Sequence, residues 1–357
     1  MEGRRTRWAS SVGKDRLREM RSRTERVPCF LGQALDAFRV AAHAPARQER
    51  EGPKRPLAGI DDAEIAIARE IQAAFLPKTC QGCEGATIAA RRLTSGSIGG
   101  DFHDFVVGPD GRYSLIIGDV VGHGVHSALA MALVLGAIRA LGPRAESPLP
   151  LLQQINRFLC RINDDLETTV LMCSLFYGVV DRGTQILRYC NAGHPYPLMH
   201  TKNRTVLKLW PNCPLLGVGP DLDCHAIPLG LRFIERGLFY TDGITEARSC
   251  TGKFLGVGRT QQIFEDTLNL SVEEQADALM GAVRDHVGYD RVLADDASVF
   301  IVSFEPQGWG ARTGQVTGTQ QGAIQFTVKQ RSGKRESVAS GDGAQGRKHP
   351  DENRNHS

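Results

Sequence analysis

No apolar run in this 357-residue chain reaches bilayer length: the longest, Ala128 to Ala137, is well short of the ~20 residues a spanning helix needs. No signal-peptide pattern opens the chain either, so the expectation is a cytoplasmic protein with no membrane role. A dominant charge sign is also missing. The net charge is +3, and it hides an uneven distribution. Residues 1–59 carry 14 Lys+Arg against 7 Asp+Glu, residues 306–357 carry 8 against 4, and the body at 60–305 has 21 against 29. A mildly acidic body argues against a nucleic-acid-binding core and leaves the basic ends as solvated arms. Zinc-ligand spacing is lacking too, because Cys80-x-x-Cys83 has no second pair to complete it. The nine cysteines are an odd, scattered set, several inside apolar patterns, and read as reduced thiols. No internal repeat stands out.

What is present divides the chain into four. Residues 1–59 are Arg-rich and punctuated by proline, with one apolar patch from Val27 to Val40, and read as a basic, mostly flexible arm. Residues 60–77 read as a linker helix: Asp61-Asp62-Ala63-Glu64 is a capping-box pattern, Ile60, Ile67, Ile71 and Phe75 share a face, and Pro77 ends it. That stripe either packs on the domain or serves an activator or self-association through 60–76. Residues 78–305 form the domain proper. Beyond Pro306 the composition turns to Gly, Gln, Ser, Lys and Arg, and 306–357 reads as a disordered basic tail.

Within 78–305, strands are expected at Ala86–Leu93, Phe102–Val107, Tyr113–Ile117, Met172–Val180, Gln185–Asn191, Phe233–Tyr240 and Ala297–Phe304. Helices are expected at Val125–Leu141, apolar almost all round and hence buried, and at Pro148–Ile162, Val257–Thr267 and Ser271–Val287. Strands in blocks joined by hairpins indicate an α+β domain with antiparallel sheets. Gly108-Pro109-Asp110-Gly111 turns the first hairpin. Centred on Asp110, the pairing sums to 220 and sets Asp101 opposite Asp119; a two-residue loop would shift it by one.

Four acidic points share one setting: Asp101, Asp119, Asp242 and Asp295-Asp296 each sit where an apolar strand begins or ends beside small residues. One such aspartate alone is more often a turn former than a ligand. Like charges gathered at strand ends call for a cation, and a carboxylate-rich, histidine-poor set suits Mg²⁺ or Mn²⁺. Two such ions can activate a water and clamp a phosphoryl group, which points to phosphoester hydrolysis.

Five stretches then carry a family resemblance in order and spacing over about residues 60–305: Gly99-Gly100-Asp101-Phe102-His103-Asp104, Gly118-Asp119-Val120-Val121-Gly122-His123-Gly124, Asn191-Ala192-Gly193-His194, Tyr240-Thr241-Asp242-Gly243-Ile244-Thr245-Glu246-Ala247 and Asp295-Asp296. Together they resemble the motifs of the metal-dependent (PPM, type-2C) Ser/Thr protein phosphatases, in the bacterial SpoIIE-like branch that regulates stress-response sigma factors. Ala68 to Gln72 through Leu76-Pro77 is similar to the helix preceding that domain.

The resemblance implies a four-layer α-β-β-α sandwich with an Mn²⁺ or Mg²⁺ pair at one end. By motif position the metal ligands are Asp101, Asp119, Asp242, Asp295 and the carbonyl of Val120, with Asp296 a weaker candidate. Asp101 and Asp119 would also hold the nucleophilic water through the metals. Asp104 and Glu246 read better as residues that orient neighbours, and Asn191 and His194 as rim formers. Eukaryotic relatives carry a histidine two residues after the second-motif aspartate; Val121 stands there, so leaving-group protonation falls to water or His123. Glu235-Arg236-Gly237 and Ser298 depart from the usual pattern without removing a ligand. The implied substrate is a phosphoserine or phosphothreonine protein, within the branch a STAS-type anti-sigma-factor antagonist. A catalytically silent phosphoprotein-binding scaffold and a small-molecule phosphatase are the alternatives.

Overall fold

The computed structural model describes residues 62–305 apart from Ser97. The readings made for 1–59, for Ile60 and Asp61, and for 306–357 fall outside the described residues.

Helix α1 (Asp62–Phe75) runs up to Leu76 and Pro77, whose ring ends it. Of the two uses open to its stripe, packing on the domain holds for Phe75 and not for Ile67 and Ile71. Ile67 and Ile71 are 58% and 51% exposed, whereas Gln72 is buried and Phe75 is half-buried against the core. The polar Gln72 has specific partners beneath the helix, and satisfying them sets which face turns inward.

Three strands follow, β1 (Ala86–Leu93), β2 (Phe102–Val107) and β3 (Tyr113–Val120), and then helices α2 (Val125–Leu141) and α3 (Pro148–Asp165). The next strands are β4 (Cys173–Asp181), β5 (Ile186–Ala192), β6 (Leu198–Thr201), β7 (Val206–Lys208), β8 (Ile227–Gly230) and β9 (Ile234–Tyr240). The short helix α4 (Asp242–Thr245), then α5 (Gly256–Asp266), α6 (Val272–Val287) and β10 (Ala297–Phe304) complete the domain. A capping box between Ser271 and Glu274 starts α6.

The strands form two five-stranded sheets, ordered β1-β10-β9-β6-β7 and β2-β3-β4-β5-β8, antiparallel throughout. They pack face to face through Ile88, Leu115, Ile117, Phe176, Phe239 and Phe300, the rings of Phe239 and Phe300 stacking at 4.4 Å. Helices α2 and α3 cover the outer face of the second sheet through Met131, Val134, Leu152 and Ile155 against Ile116 and Tyr177. Helices α5 and α6 cover the first, setting Phe264, Leu279 and Val283 on Leu238, Val299 and Ile301. The α+β reading and the α-β-β-α order both hold.

The β2–β3 ladder pairs Phe102 with Gly118 and Val107 with Tyr113, the register that sums to 220. Asp110 fixes it: its Oδ1 accepts from Arg112 N at 3.0 Å, and Gly111 takes φ 81°, open to glycine at little cost. Helix α2 is buried on one side only. Ala130, Met131, Val134, Leu135 and Ile138 are sealed in the core, while Leu129 and Leu133 are 63% and 44% exposed. By length and composition, Val125–Arg144 is one described stretch that could cross a bilayer, though its inner face belongs to this core.

The thiol reading needs correction. Cys80–Cys83 and Cys213–Cys224 are disulfides, with Cα separations of 5.7 and 4.8 Å, while Cys160, Cys173, Cys190 and Cys250 are free. Cys213 and Cys224 lie in an irregular segment whose path tertiary packing sets, so sequence spacing could not announce the pair.

Candidate functional site

The site lies where β3 and β9 end and where β2 and β10 begin. Two glycines bring these ends close. A Cβ on Gly99 would fall 1.3 Å from Asp296 Oδ2, and one on Gly100 would fall 2.6 Å from the Val120 carbonyl and 3.0 Å from Asp119 Oδ1. The Gly99-Gly100 pair is therefore a requirement of close approach.

Asp101 follows at once and is 1% exposed. Thr241 Oγ1 donates to its Oδ2 at 2.7 Å and itself accepts from Ser298 N at 2.9 Å, so β9 and β10 jointly aim this carboxylate. Burial holds Asp101 well above the usual carboxylate range, opposed by the Thr241 bond and reinforced by Asp242 and Asp296. Asp119, on β3, is likewise pushed well up by burial, then by Asp101, Asp242, Asp295 and Asp296. Asp242, at the start of α4, is raised to about 6 by burial, then by Asp295 and Glu246, against a bond from the Gly243 amide. Asp295 is the solvent-facing member; it too is raised, by partial burial first and by Asp296, with His123 and the Asp296 amide pulling the other way. No lysine or arginine is among the groups that shift Asp101 or Asp119. A set of crowded, largely buried carboxylates, with no lysine or arginine among the described residues acting on Asp101 or Asp119, fits hard divalent ions and does not fit a soft-metal site.

The other predicted residues divide. Asp296 is 4% exposed, and its carboxylate is engaged by Ser95 N at 2.8 Å, Ser95 Oγ at 3.2 Å and Arg92 Nη2 at 3.4 Å. It braces the cluster from behind. Asp104 points away: Arg139 Nε donates to its Oδ2 at 2.7 Å and Phe105 N to its Oδ1 at 2.9 Å, tying β2 to α2. Glu246 is exposed beside Asp242. Asn191 donates to Leu209 O and accepts from His194 N, and His194 Nδ1 meets Ser174 Oγ at 2.8 Å, so both shape the β5 turn. His123 is exposed at the mouth, close enough to Asp295 to lower its pKa.

Several contributors escape sequence reading. Gln72 Nε2 donates to Gly99 O at 2.7 Å, and its Oε1 accepts from Gly99 N at 3.3 Å and from Arg92 Nη2 at 3.1 Å. A helical glutamine among alanines carries no visible signal of such a role. His126 stands in the first turn of α2, its ring 6.4 Å from His123 and against Gly122, where φ is 105°. The i, i+3 histidine spacing at a helix start was the available clue.

A shallow cavity of about 270 Å³ adjoins the Asp295 strand end, lined by Arg248, Cys250, Arg291, Val292 and Ala294 among others. Arg248 lies over the Phe254 ring at 4.4 Å.

The model of the family Stage II sporulation protein E (SpoIIE) matches residues 109–305. Among curated proteins the chain is 28% identical to phosphoserine phosphatase RsbP of Bacillus subtilis over 51% of this chain and 45% of that protein. It is 25% identical to phosphoserine phosphatase RsbU of the same organism, over 59% and 62%, and 27% identical to protein IcfG of Synechocystis, over 61% and 38%. The chain thus covers less than two thirds of the length of each of these relatives. Among solved structures it resembles the SiaA-PP2C domain of Pseudomonas aeruginosa, with a TM-score of 0.57 and 22% identity over 68% of this chain and 96% of that one. It also resembles the RsbU and RsbW domains of Rv1364c from Mycobacterium tuberculosis, with a TM-score of 0.53 and 24% identity over 65% and 63%. At these identities the structural likeness establishes the fold, which is that of a PP2C domain. Because the family model spans more than half of a chain with this sandwich and these strand-end aspartates, the chain belongs to the SpoIIE family, on the PP2C-type phosphatase fold.

Proposed function

We propose that this chain is a metal-dependent protein phosphatase that removes phosphate from phosphoserine or phosphothreonine. The observation that carries the reading is the convergence of Asp101, Asp119, Asp242 and Asp295 from four separate strand ends on one largely buried site, where Asp101, Asp242 and Asp295 all press on Asp119 and Asp295 presses on Asp242. Asp101, Asp119, Asp242 and Asp295, with the Val120 carbonyl, are the groups that would hold an Mn²⁺ or Mg²⁺ pair. When bound, two such ions lower the pKa of a water and offset charge on the phosphoryl oxygens.

The chain's own residues do the rest. Thr241 aims Asp101, Gly99 and Gly100 let the strand ends close, and Asp296 steadies the loop through Ser95 and Arg92. His123, exposed at the mouth, is the side chain placed to hand a proton to the leaving oxygen, His126 standing behind it. Family membership supports a phosphorylated STAS-type antagonist as substrate and a cytoplasmic setting. The exposed Ile67 and Ile71 of α1 support regulation through that helix, by an activator or a second copy. Residues 78–305 are the catalytic unit of this reading, with 60–77 as its linker.

The test is hydrolysis of p-nitrophenyl phosphate and of a phosphoserine peptide by the full chain, with and without Mn²⁺. Asp119→Asn should lose on the order of 10²-fold or more in turnover with the fold unchanged by circular dichroism. Near-normal turnover in that variant sinks the assignment. A folded chain inactive at every metal concentration is a binding scaffold, and preference for nucleotides or sugar phosphates marks a small-molecule phosphatase.

A further inference from the structure

Three sulfurs gather on the opposite side of β5 from the intersheet core. Cys213 and Cys224 are bonded, eleven residues apart in the irregular segment between β7 and β8, and Cys190 on β5 is a fully buried free thiol. All three Sγ atoms lie within 4.8 Å of one another. A disulfide that serves only as a staple has no use for a third sulfur at exchange distance; here Cys190 and Cys213 are sealed in the core under α3 and Cys224 is half-buried at its edge.

We propose that Cys190, Cys213 and Cys224 form a thiol–disulfide exchange site, whose ligand class is a small thiol or dithiol reductant. Two balanced steps are available to it. In the internal step, Cys190, as thiolate, attacks Sγ of Cys213; the Cys213–Cys224 bond breaks, a Cys190–Cys213 bond forms, and Cys224 leaves as a thiolate that takes up the proton Cys190 gave up. No electrons are gained or lost. In the external step, one thiolate of a dithiol attacks Sγ of Cys224, the half-buried partner, releasing Cys213 as a thiol. The reductant's second thiol then closes its own disulfide and frees Cys224, so two protein thiols form for one oxidised dithiol. Burial pushes the Cys190 thiol up to about 12, which keeps it protonated at neutral pH and leaves Cys213–Cys224 as the resting linkage.

The position of the site couples it to the strand ends that carry the aspartates. The amides of Asn212 and Cys213 both donate to Asn191 O, and Asn212 Oδ1 accepts from Asn191 N. Three residues on, Leu216 exchanges both backbone bonds with Cys173, the β4 residue paired with Val120. Asn156 and Asn163 hold Gly217 from α3. The segment that the sulfurs tether therefore props the β4 end beside Asp119 and Val120.

The experiment is disulfide mapping by mass spectrometry on the intact full chain, unreduced and after equilibration in dithiothreitol redox buffers. The wild type and Cys190→Ser should carry Cys213–Cys224. Cys224→Ser should carry Cys190–Cys213, and Cys213→Ser should carry Cys190–Cys224. Wild type poised midway through its reduction should show a fraction of Cys190-containing linkages, a readout that needs no variant to fold. Incubation with oxidised glutathione after full reduction should tag Cys224 first. Cys190 staying a free thiol throughout overturns the proposal. So does one tightly retained Zn²⁺ per chain with all three sulfurs reduced, which would make the cluster a metal site.

Discussion

Gly99 carries more of the site than its lack of a side chain suggests. It receives both ends of the Gln72 amide and leaves space for the Asp296 carboxylate, which a methyl group there would meet at 1.3 Å. Gly99→Ala should displace Asp296 from Ser95 and Arg92, costing about 3 kcal/mol on the scale of a broken buried pair. Denaturant unfolding measures that loss, and turnover should fall with it; an unchanged midpoint would mean that the loop yields freely. His194 offers a separate test. Burial lowers its pKa to about 3, while an unfolded imidazole titrates at ~6.5. On acidification the unfolded chain takes up this proton first, so the contribution to stability is lost as pH falls below about 6.5 and continues to be lost down to about 3. Between pH 7.5 and pH 5 that share amounts to roughly 2 kcal/mol. In His194→Asn the share is absent, so the gap in stability between wild type and variant should shrink by that amount at pH 5. A gap that stays constant would place a charged imidazole in the fold.

Helix α1 shows how a pattern can fix an element and leave open which face it buries. Its bounds agree with the Pro77 stop, yet the Ile67 and Ile71 stripe faces solvent while Gln72 is buried. Gln72→Ala strips Gly99 of two partners and Arg92 of one, and should cost about 1–3 kcal/mol. It should also raise the Mn²⁺ concentration giving half-maximal turnover, because Gly99 leads directly into Asp101. Replacing Ile67 and Ile71 by serine should leave the unfolding free energy within the roughly ±0.5 kcal/mol typical of surface changes. A larger loss would show that another chain covers the stripe. The same contrast runs through the rest of the domain. The long strands and the β2–β3 register were legible, because alternation and the Asp110-Gly111 turn are local chemistry, whereas the short β6, β7 and β8 were not placed. Which face of α2 would be wet was not legible, since a helix apolar all round gives no direction; packing on the sheet chose Met131 and Val134 over Leu129 and Leu133. Among the strand-end aspartates, the local setting marked Asp101, Asp119, Asp242 and Asp295. It did not reveal that Asp296 would be spent on Ser95, or that Thr241 would aim Asp101, because both depend on contacts between distant segments.

Charge over the whole molecule bears on how the anionic phosphoprotein of the proposed reaction would reach this site. The body at 60–305 has 29 acidic against 21 basic residues, and the aspartate cluster concentrates negative potential where the phosphate must arrive. The divalent ions of the proposed reading would answer that charge only at contact distance, so the approach would depend on cations around the rim. Arg248 and Arg291 line the cavity that adjoins Ala294 and the Asp295 strand end, with Val292 as an apolar neighbour. That combination suits a peptide segment carrying acidic residues beside its phosphorylated serine. Replacing both arginines by alanine should raise KM for a phosphoprotein about tenfold, the equivalent of one charge-assisted hydrogen bond, with kcat little changed. Turnover of p-nitrophenyl phosphate, which carries no acidic residues to meet the arginines, should not move. The wild-type KM should also climb with ionic strength as the Debye length shrinks below ~10 Å, and the variant's should climb less. Equal losses on the small and the protein substrate would assign the arginines to the structure of the Asp295 loop and leave the docking face to be sought elsewhere on the rim.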